Sequence, residues 1–147
     1  MYKKILVPLD GSSLAEEAIP HAEALAKTEG AEIIILRIPA VPTSEFLSRD
    51  PSVAALIIKD VEEETRKYVE AAVRRIKMDG ITVEGITRLG PVPETILEVA
   101  EELHADVITM STHGRSGFQR WLIGSVADRV VQHAHIPVML VHPFSKN

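Results

Sequence analysis

Ile5-Leu6-Val7-Pro8-Leu9, followed at once by Asp10-Gly11-Ser12, is the stretch that decides the fold. Five apolar residues in a row, closed by a turn pair, read as a short strand buried on both faces, since a strand with one wet face would alternate. Pro8 has no N–H to donate to a ladder, so it suits the end of such a strand better than its middle. Strands buried on both faces belong to parallel sheets whose crossovers are helices, so helix and strand should alternate along the chain.

They do so from end to end. Ser13 and Glu16 form a capping-box pair, and Ala15, Ala18, Ile19, Ala22, Leu25 and Ala26 share one helical face up to Gly30, with Pro20 predicting a bend. Ile33 to Leu36 is a second buried strand. Pro39 to Ser52 holds three prolines and reads as a long loop, a length usually reserved for function or motion and here expected to act as a lid. Asp50-Pro51 then starts a long helix as cap and first residue. Ala54, Ile57, Ile58, Val61, Tyr68, Val69, Ala72 and Ile76 line one face of it as far as Gly80, and Glu63–Lys67 and Glu70–Arg74 pairs mark its wet face. Ile81 to Leu89, interrupted by Gly85, suits a strand at a sheet edge. Pro93 to His104 is a helix, Val107 to Met110 a strand, Ser125 to His133 a helix and Ile136 to Val141 the last strand. The class is therefore α/β, a three-layer, doubly wound parallel sheet, read as one domain over residues 1–147.

Composition bounds the function. The 147 residues are 46% apolar and 25% charged, near the averages for globular chains, which sets aside disorder. With 16 Lys and Arg against 21 Asp and Glu, the net charge of −5 offers no general nucleic-acid footprint. The absence of Cys excludes thiol chemistry and fits a reducing compartment. The apolar run before Asp10 is too short for a signal peptide or a membrane span, so a cytoplasmic protein is expected.

In a doubly wound sheet a ligand lies beyond the carboxyl ends of the strands, where the strand order reverses. Two strand-end segments stand out there: Asp10-Gly11-Ser12-Ser13, and Ser111-Thr112-His113-Gly114-Arg115-Ser116-Gly117 running on to Gly124-Ser125. Three of the eight glycines fall between positions 114 and 124, and the 21 residues from Val107 to Ala127 contain no Asp or Glu. A glycine-rich, acid-free loop leading into a helix N-terminus suits a phosphate, because bare amides can approach it and the helix dipole favours its charge. The same residues also read as plain turns with Ser125 as a cap. No G-x-G-x-x-G and no G-x-x-x-x-G-K-[ST] is present, which removes a dinucleotide fingerprint and a P-loop. His133, His135 and His142 cluster near the end of the chain but show no fourth metal ligand, and Ser12, Ser13 and Ser125 lack the partners of a nucleophile.

Pro8-Leu9-Asp10-Gly11-Ser12, together with Met110-Ser111-Thr112-His113-Gly114-Arg115 and Gly124-Ser125-Val126, resembles the universal stress protein family over nearly the whole chain. Nucleotide-binding members carry Gly, two residues, Gly, nine residues, then Gly-Ser or Gly-Thr. Gly114 and Gly124-Ser125 match the later parts of that pattern, whereas Ser111 replaces the first glycine. The resemblance implies strand order 3-2-1-4-5 and an adenine nucleotide (ATP, ADP or AMP, with Mg²⁺ through the phosphates) between strands one and four. It implies Asp10 at the adenosine end and Pro8, Leu9, Ile38 and Met110 against the base, although Ile38 and Met110 read equally well as core. It implies amides of Gly114, Gly124, Ser125 and Val126 on the phosphates, with His113 and Arg115 as further contacts. No catalytic base is evident, so hydrolysis is expected to be slow at most. The alternative is an interaction module of the same fold that binds no nucleotide, with Ser111 marking the change. The uncharged strand Ile136–Val141 would lie at an edge and pair two copies into a homodimer, which would act through a further protein partner. Phe118, Trp121, Leu122 and Ile123 are expected to pack on the domain itself.

Overall fold

A computed structural model describes residues 1–115 and 122–144. Among these residues eleven elements follow one another, each strand separated from the next by one or two helices: β1 (Lys4–Leu9), α1 (Ser13–Glu16), α2 (Ile19–Glu29), β2 (Glu32–Arg37), α3 (Ser44–Arg49), α4 (Pro51–Met78), β3 (Val83–Thr87), α5 (Val92–Glu102), β4 (Val107–Ser111), α6 (Ser125–His133) and β5 (Val138–Val141). All four strand pairings are parallel and the order is β3-β2-β1-β4-β5.

The side-chain period of two divides the core. Ile5, Val7, Ile33 and Ile35 point to the face covered by α2 and α4, where they meet Ala22, Val69, Ala72 and Ile76. Leu6, Ile34, Leu36, Ile38, Ile108 and Met110 point to the other face and pack on Ile96, Val99, Ala127 and Val130 of α5 and α6. The central strands are buried on both sides, which is why they read as unbroken apolar runs.

Several local expectations change. The first helix does not bend at Pro20; it breaks ahead of it into α1 and α2, and Pro20 falls in the first turn of α2, where a missing N–H leaves nothing unpaired. Ser12 rather than Ser13 caps α1, its hydroxyl oxygen accepting the Ala15 amide. The supposed loop from Pro39 to Ser52 contains α3, started by Thr43, whose side chain accepts the Phe46 amide; the helix has no buried residue and so no apolar periodicity to betray it. On α4, Glu70 pairs with Arg66, which also holds Glu63, rather than with Arg74. Leu122 and Ile123 are exposed instead of packed, and Phe118 and Trp121 lie outside the described residues. Among the described residues, no helix is long and apolar enough to cross a membrane.

Pro8 has a topological consequence. The β1–β2 ladder runs from Lys4–Glu32 to Leu9–Arg37, whereas the β1–β4 ladder stops at Leu6–Ile108, two residues before Pro8. With no amide at position 8 to bridge the gap, β1 and β4 part at their carboxyl ends. The strand order reverses at the same place, and a cleft opens there.

Candidate functional site

The cleft has a volume of about 310 Å³. Pro8, Leu9 and Asp10 from β1, Ile38 after β2, Met110 and Ser111 of β4, then His113, Gly114, Arg115, Gly124, Ser125 and Val126 all line it, so the residues singled out from sequence come together at one place. Ile38 and Met110 serve both readings: each belongs to the core cluster under α5 and α6 and also faces the cleft. Of the segment from Pro39 to Ser52, Ala40 reaches it.

Asp10 organises the rim. Its Oδ1 accepts both the Ser12 amide, at 2.9 Å, and the Ser12 hydroxyl, at 2.6 Å, while Oδ2 accepts the Arg115 amide at 2.6 Å. Burial alone would raise the pKa of this carboxyl. The Ser12 hydroxyl and amide, the Arg115 amide and the charge of Arg37 outweigh it and hold Asp10 below the ordinary aspartate value. Asp10 is thus an ionised clamp that ties the end of β1 to the loop after β4.

Gly114 is glycine because of this clamp. A β-carbon there would stand 2.1 Å from Asp10 Oδ2, well inside van der Waals contact. Gly124 is pressed similarly by backbone, with the Thr112 carbonyl oxygen 2.8 Å from the place a β-carbon would take. Its own amide donates to that carbonyl, so Gly124 does not offer the free N–H expected of it. Gly124 is the N-cap of α6 and Ser125 its first helical residue, so Ser125 is not a cap either. Among the described residues nothing caps the amides of Ser125 and Val126, which open the first turn of a nine-residue helix beside the cleft. Ser111 is buried, and its hydroxyl accepts the His113 amide at 3.3 Å, which turns it onto its own loop. Buried His113 lies 2.9 Å through Nδ1 from the Thr112 hydroxyl, and His142 contacts the same hydroxyl. His133 donates from Nδ1 to the Arg129 carbonyl, and no group of three potential ligands for a metal is found among the described residues.

The main residue missed from sequence is Arg37. It ends β2, is 8% exposed and lines the cleft from the α2/α4 face. Its Nη1 donates to the Ile38 carbonyl, and its guanidinium carbon lies 5.8 Å from the centre of the Tyr68 ring. The Tyr68 hydroxyl donates in turn to Glu16; burial first, then that bond, pushes the phenol pKa up, so the ring stays neutral beneath the cation. The available signal was a charge directly at the end of the run Ile33 to Leu36. Inside a covered sheet, a charge at that position marks a ligand-facing end.

The cleft combines an apolar slot (Leu36, Ile38, Val92, Ile96, Met110), one ionised carboxylate already accepting three hydrogen bonds, two guanidinium groups and an uncapped helix start. It can take a flat apolar ring and hold an anion next to it.

A model of the universal stress protein family matches residues 1–142. Universal stress protein MJ0531 of Methanocaldococcus jannaschii is 35% identical over 141 residues, spanning 96% of this chain and 82% of that one. Universal stress protein G of Escherichia coli O157:H7 is 31% identical over 143 residues, spanning 96% and 99%. Among solved structures, that of protein MJ0577 superposes with a TM-score of 0.86 at 29% identity, covering 99% of each chain. A universal stress protein solved in complex with cAMP superposes with a TM-score of 0.73 at 27% identity, covering 97% of this chain and 99% of the other.

Proposed function

This chain belongs to the universal stress protein family, and from that premise we propose that it is a stress-response regulatory protein that binds an adenine nucleotide in the β1/β4 cleft. The observation that carries this reading is the uncapped start of α6 facing an apolar slot within one acid-poor cleft. The purine fits against Ile38 and Met110, and a phosphate fits the amides of Ser125 and Val126, with Arg115 and His113 lining the same cleft. Magnesium comes with the phosphates of ATP or ADP rather than from a protein site. The likeness to a family member bound to cAMP supports the choice of adenine. Among the described residues no pairing of a cleft side chain marks it as a general base, and the activity proposed is binding rather than turnover.

The test is calorimetric titration with Mg-ATP of the parent and of Ser125→Asp. An acidic residue at the first helical position suits the helix dipole, so the variant folds, but it puts a carboxylate where phosphate would sit. We expect heat from the parent and at least tenfold weaker binding by the variant, a loss of about 1.4 kcal/mol or more. A parent that gives no heat leaves the non-binding interaction module instead. Equal binding by both would move the phosphates away from α6.

Assembly is a separate proposal. β5 is one of the two edge strands, carries no charge and leaves Val138, Met139 and Leu140 only partly buried. We read Ile136–Val141 as the homodimer seam of a cytoplasmic protein. A strict monomer by light scattering at micromolar concentration would remove the seam.

A further inference from the structure

Arg37 has a geometry that nucleotide binding at α6 does not use. Leu36 and Ile38 turn to the α5/α6 face, so Arg37, between them, turns to the opposite face, where Tyr68 and Glu16 lie. The cleft therefore straddles the end of the sheet, with the α6 start on one side and Arg37 on the other. Among the described residues this nearly buried cation meets only the Ile38 carbonyl and the Tyr68 ring, and no carboxylate stands within ion-pair distance of it.

Another cation approaches it. Arg37 Nη2 lies 3.4 Å and Arg115 Nη2 3.8 Å from the point where a β-carbon on Gly11 would stand. The two guanidinium groups thus converge over Gly11, in space that its lack of a side chain keeps open. Burial first, then the charge of Arg115, lowers the pKa of Arg37, with Asp10 and Tyr68 opposing. Asp10 supplies one negative charge against two positive ones, and its oxygens are already taken by Ser12 and the Arg115 amide. Two guanidinium forks that reach the same spot at the end of a cleft are matched by an oxyanion with several acceptor oxygens, a phosphate monoester above all.

We propose that Arg37 and Arg115 form a second phosphate subsite over Gly11, so that the preferred ligand carries a phosphate beyond the one held at α6. This rests on the nucleotide reading above. The second phosphate is either the terminal group of a 5′-polyphosphate or a phosphate on the ribose, since both present the same dianion.

The experiment measures dissociation constants of AMP, ATP and adenosine 3′,5′-bisphosphate for the parent, Arg37→Gln, Arg37→Lys and Arg115→Gln, with Mg²⁺ present throughout. In the parent, ATP or the bisphosphate should bind at least tenfold tighter than AMP. Arg37→Gln and Arg115→Gln should each cut that ratio severalfold or more, and Arg37→Lys should restore part of it. A fall confined to the ATP/AMP ratio assigns the terminal phosphate, and a fall in the bisphosphate/AMP ratio assigns the ribose. Arg115 is exposed and its amide bond to Asp10 survives substitution, so Arg115→Gln decides the matter if Arg37→Gln does not fold. AMP binding with neither ratio changed overturns the subsite and leaves the nucleotide reading standing. No binding of any of the three ligands overturns both.

Discussion

Two helix starts lie beside the cleft, and both come from a Gly-Ser pair: Gly11-Ser12 ahead of α1 and Gly124-Ser125 at the opening of α6. At α1 the serine is the cap. Its hydroxyl accepts the Ala15 amide and donates to Asp10, whose other oxygen accepts the Arg115 amide, so every polar group in the chain of contacts has a partner. At α6 the glycine is the cap, the serine is already helical, and the glycine amide turns back to the Thr112 carbonyl, leaving the next amides without a side chain to receive them. A shift of one residue separates a closed helix start from an open one. The closed start is structural, and the open start, on the longer helix, is where an anion gains most.

The comparison breaks most violently at the contact that joins the two loops. Gly114→Ala would drive a methyl group onto Asp10 Oδ2, expelling the carboxylate and freeing the Arg115 amide. Overpacking together with lost charge-assisted bonds should cost about 3 kcal/mol, read as a lower denaturant midpoint at unchanged m-value. A variant as stable as the parent would mean that the clamp is not what holds the loops.

Removing the carboxylate itself comes next. Asp10→Ala should cost about 2 kcal/mol near neutral pH, because the amides of Ser12 and Arg115 lose a charged acceptor. Its folded pKa is depressed, so this stabilisation is present above the unfolded value of about 3.9 and is lost as pH falls through the lower folded value. The stability gap between parent and variant should therefore be constant from pH 7 to about 5 and narrow at more acid pH. A gap that widens in acid would reverse the sign of the Asp10 shift.

Much of this was legible from residue types. The fold was, because strands covered on both faces are written as apolar runs such as Ile5–Leu9 and Ile33–Leu36, and long helices write their buried face at Val69, Ala72 and Ile76. α3 was not, because a helix that buries nothing leaves no period, and Pro20 misled because proline in a first turn looks the same in a sequence as proline in a helix interior. The cleft's residues were legible as strand ends. Their division into saturated and open groups was not, since it depends on which loop oxygen meets which amide. Gly114 illustrates the difference: it looked like a residue left bare for a phosphate, yet it is bare for Asp10.

A smaller effect sharpens the closed side. Ser12→Ala removes the cap of α1 and one donor to Asp10 together and should cost about 1 kcal/mol. Because the Ser12 hydroxyl is the strongest influence lowering the Asp10 pKa, the variant's acid transition should also move to higher pH. A helix cap acting alone would shift the stability curve without moving that transition, so the two readouts separate the roles of one hydroxyl.

The smallest stability change carries the opposite sign and lies on the open side. Ser125→Asp adds a negative charge to the first turn of α6, where Asp128 is already the one acidic group, and should raise stability by a few tenths of a kcal/mol. At the closed start every substitution that weakens the contacts lowers stability, because those groups exist for the fold. At the open start the uncapped amides are a local deficit that an acidic side chain relieves, and relief from within the chain competes with relief from a ligand. Stability and anion affinity should therefore move in opposite directions in Ser125→Asp, whereas in Gly114→Ala they should fall together. Thermal denaturation with and without Mg-ATP reads both quantities in one experiment: the nucleotide-free midpoint rises slightly in Ser125→Asp while its nucleotide-induced increment shrinks. A variant that is less stable without nucleotide would show that the α6 amides are already satisfied by the protein, and the contrast between the two helix starts would disappear.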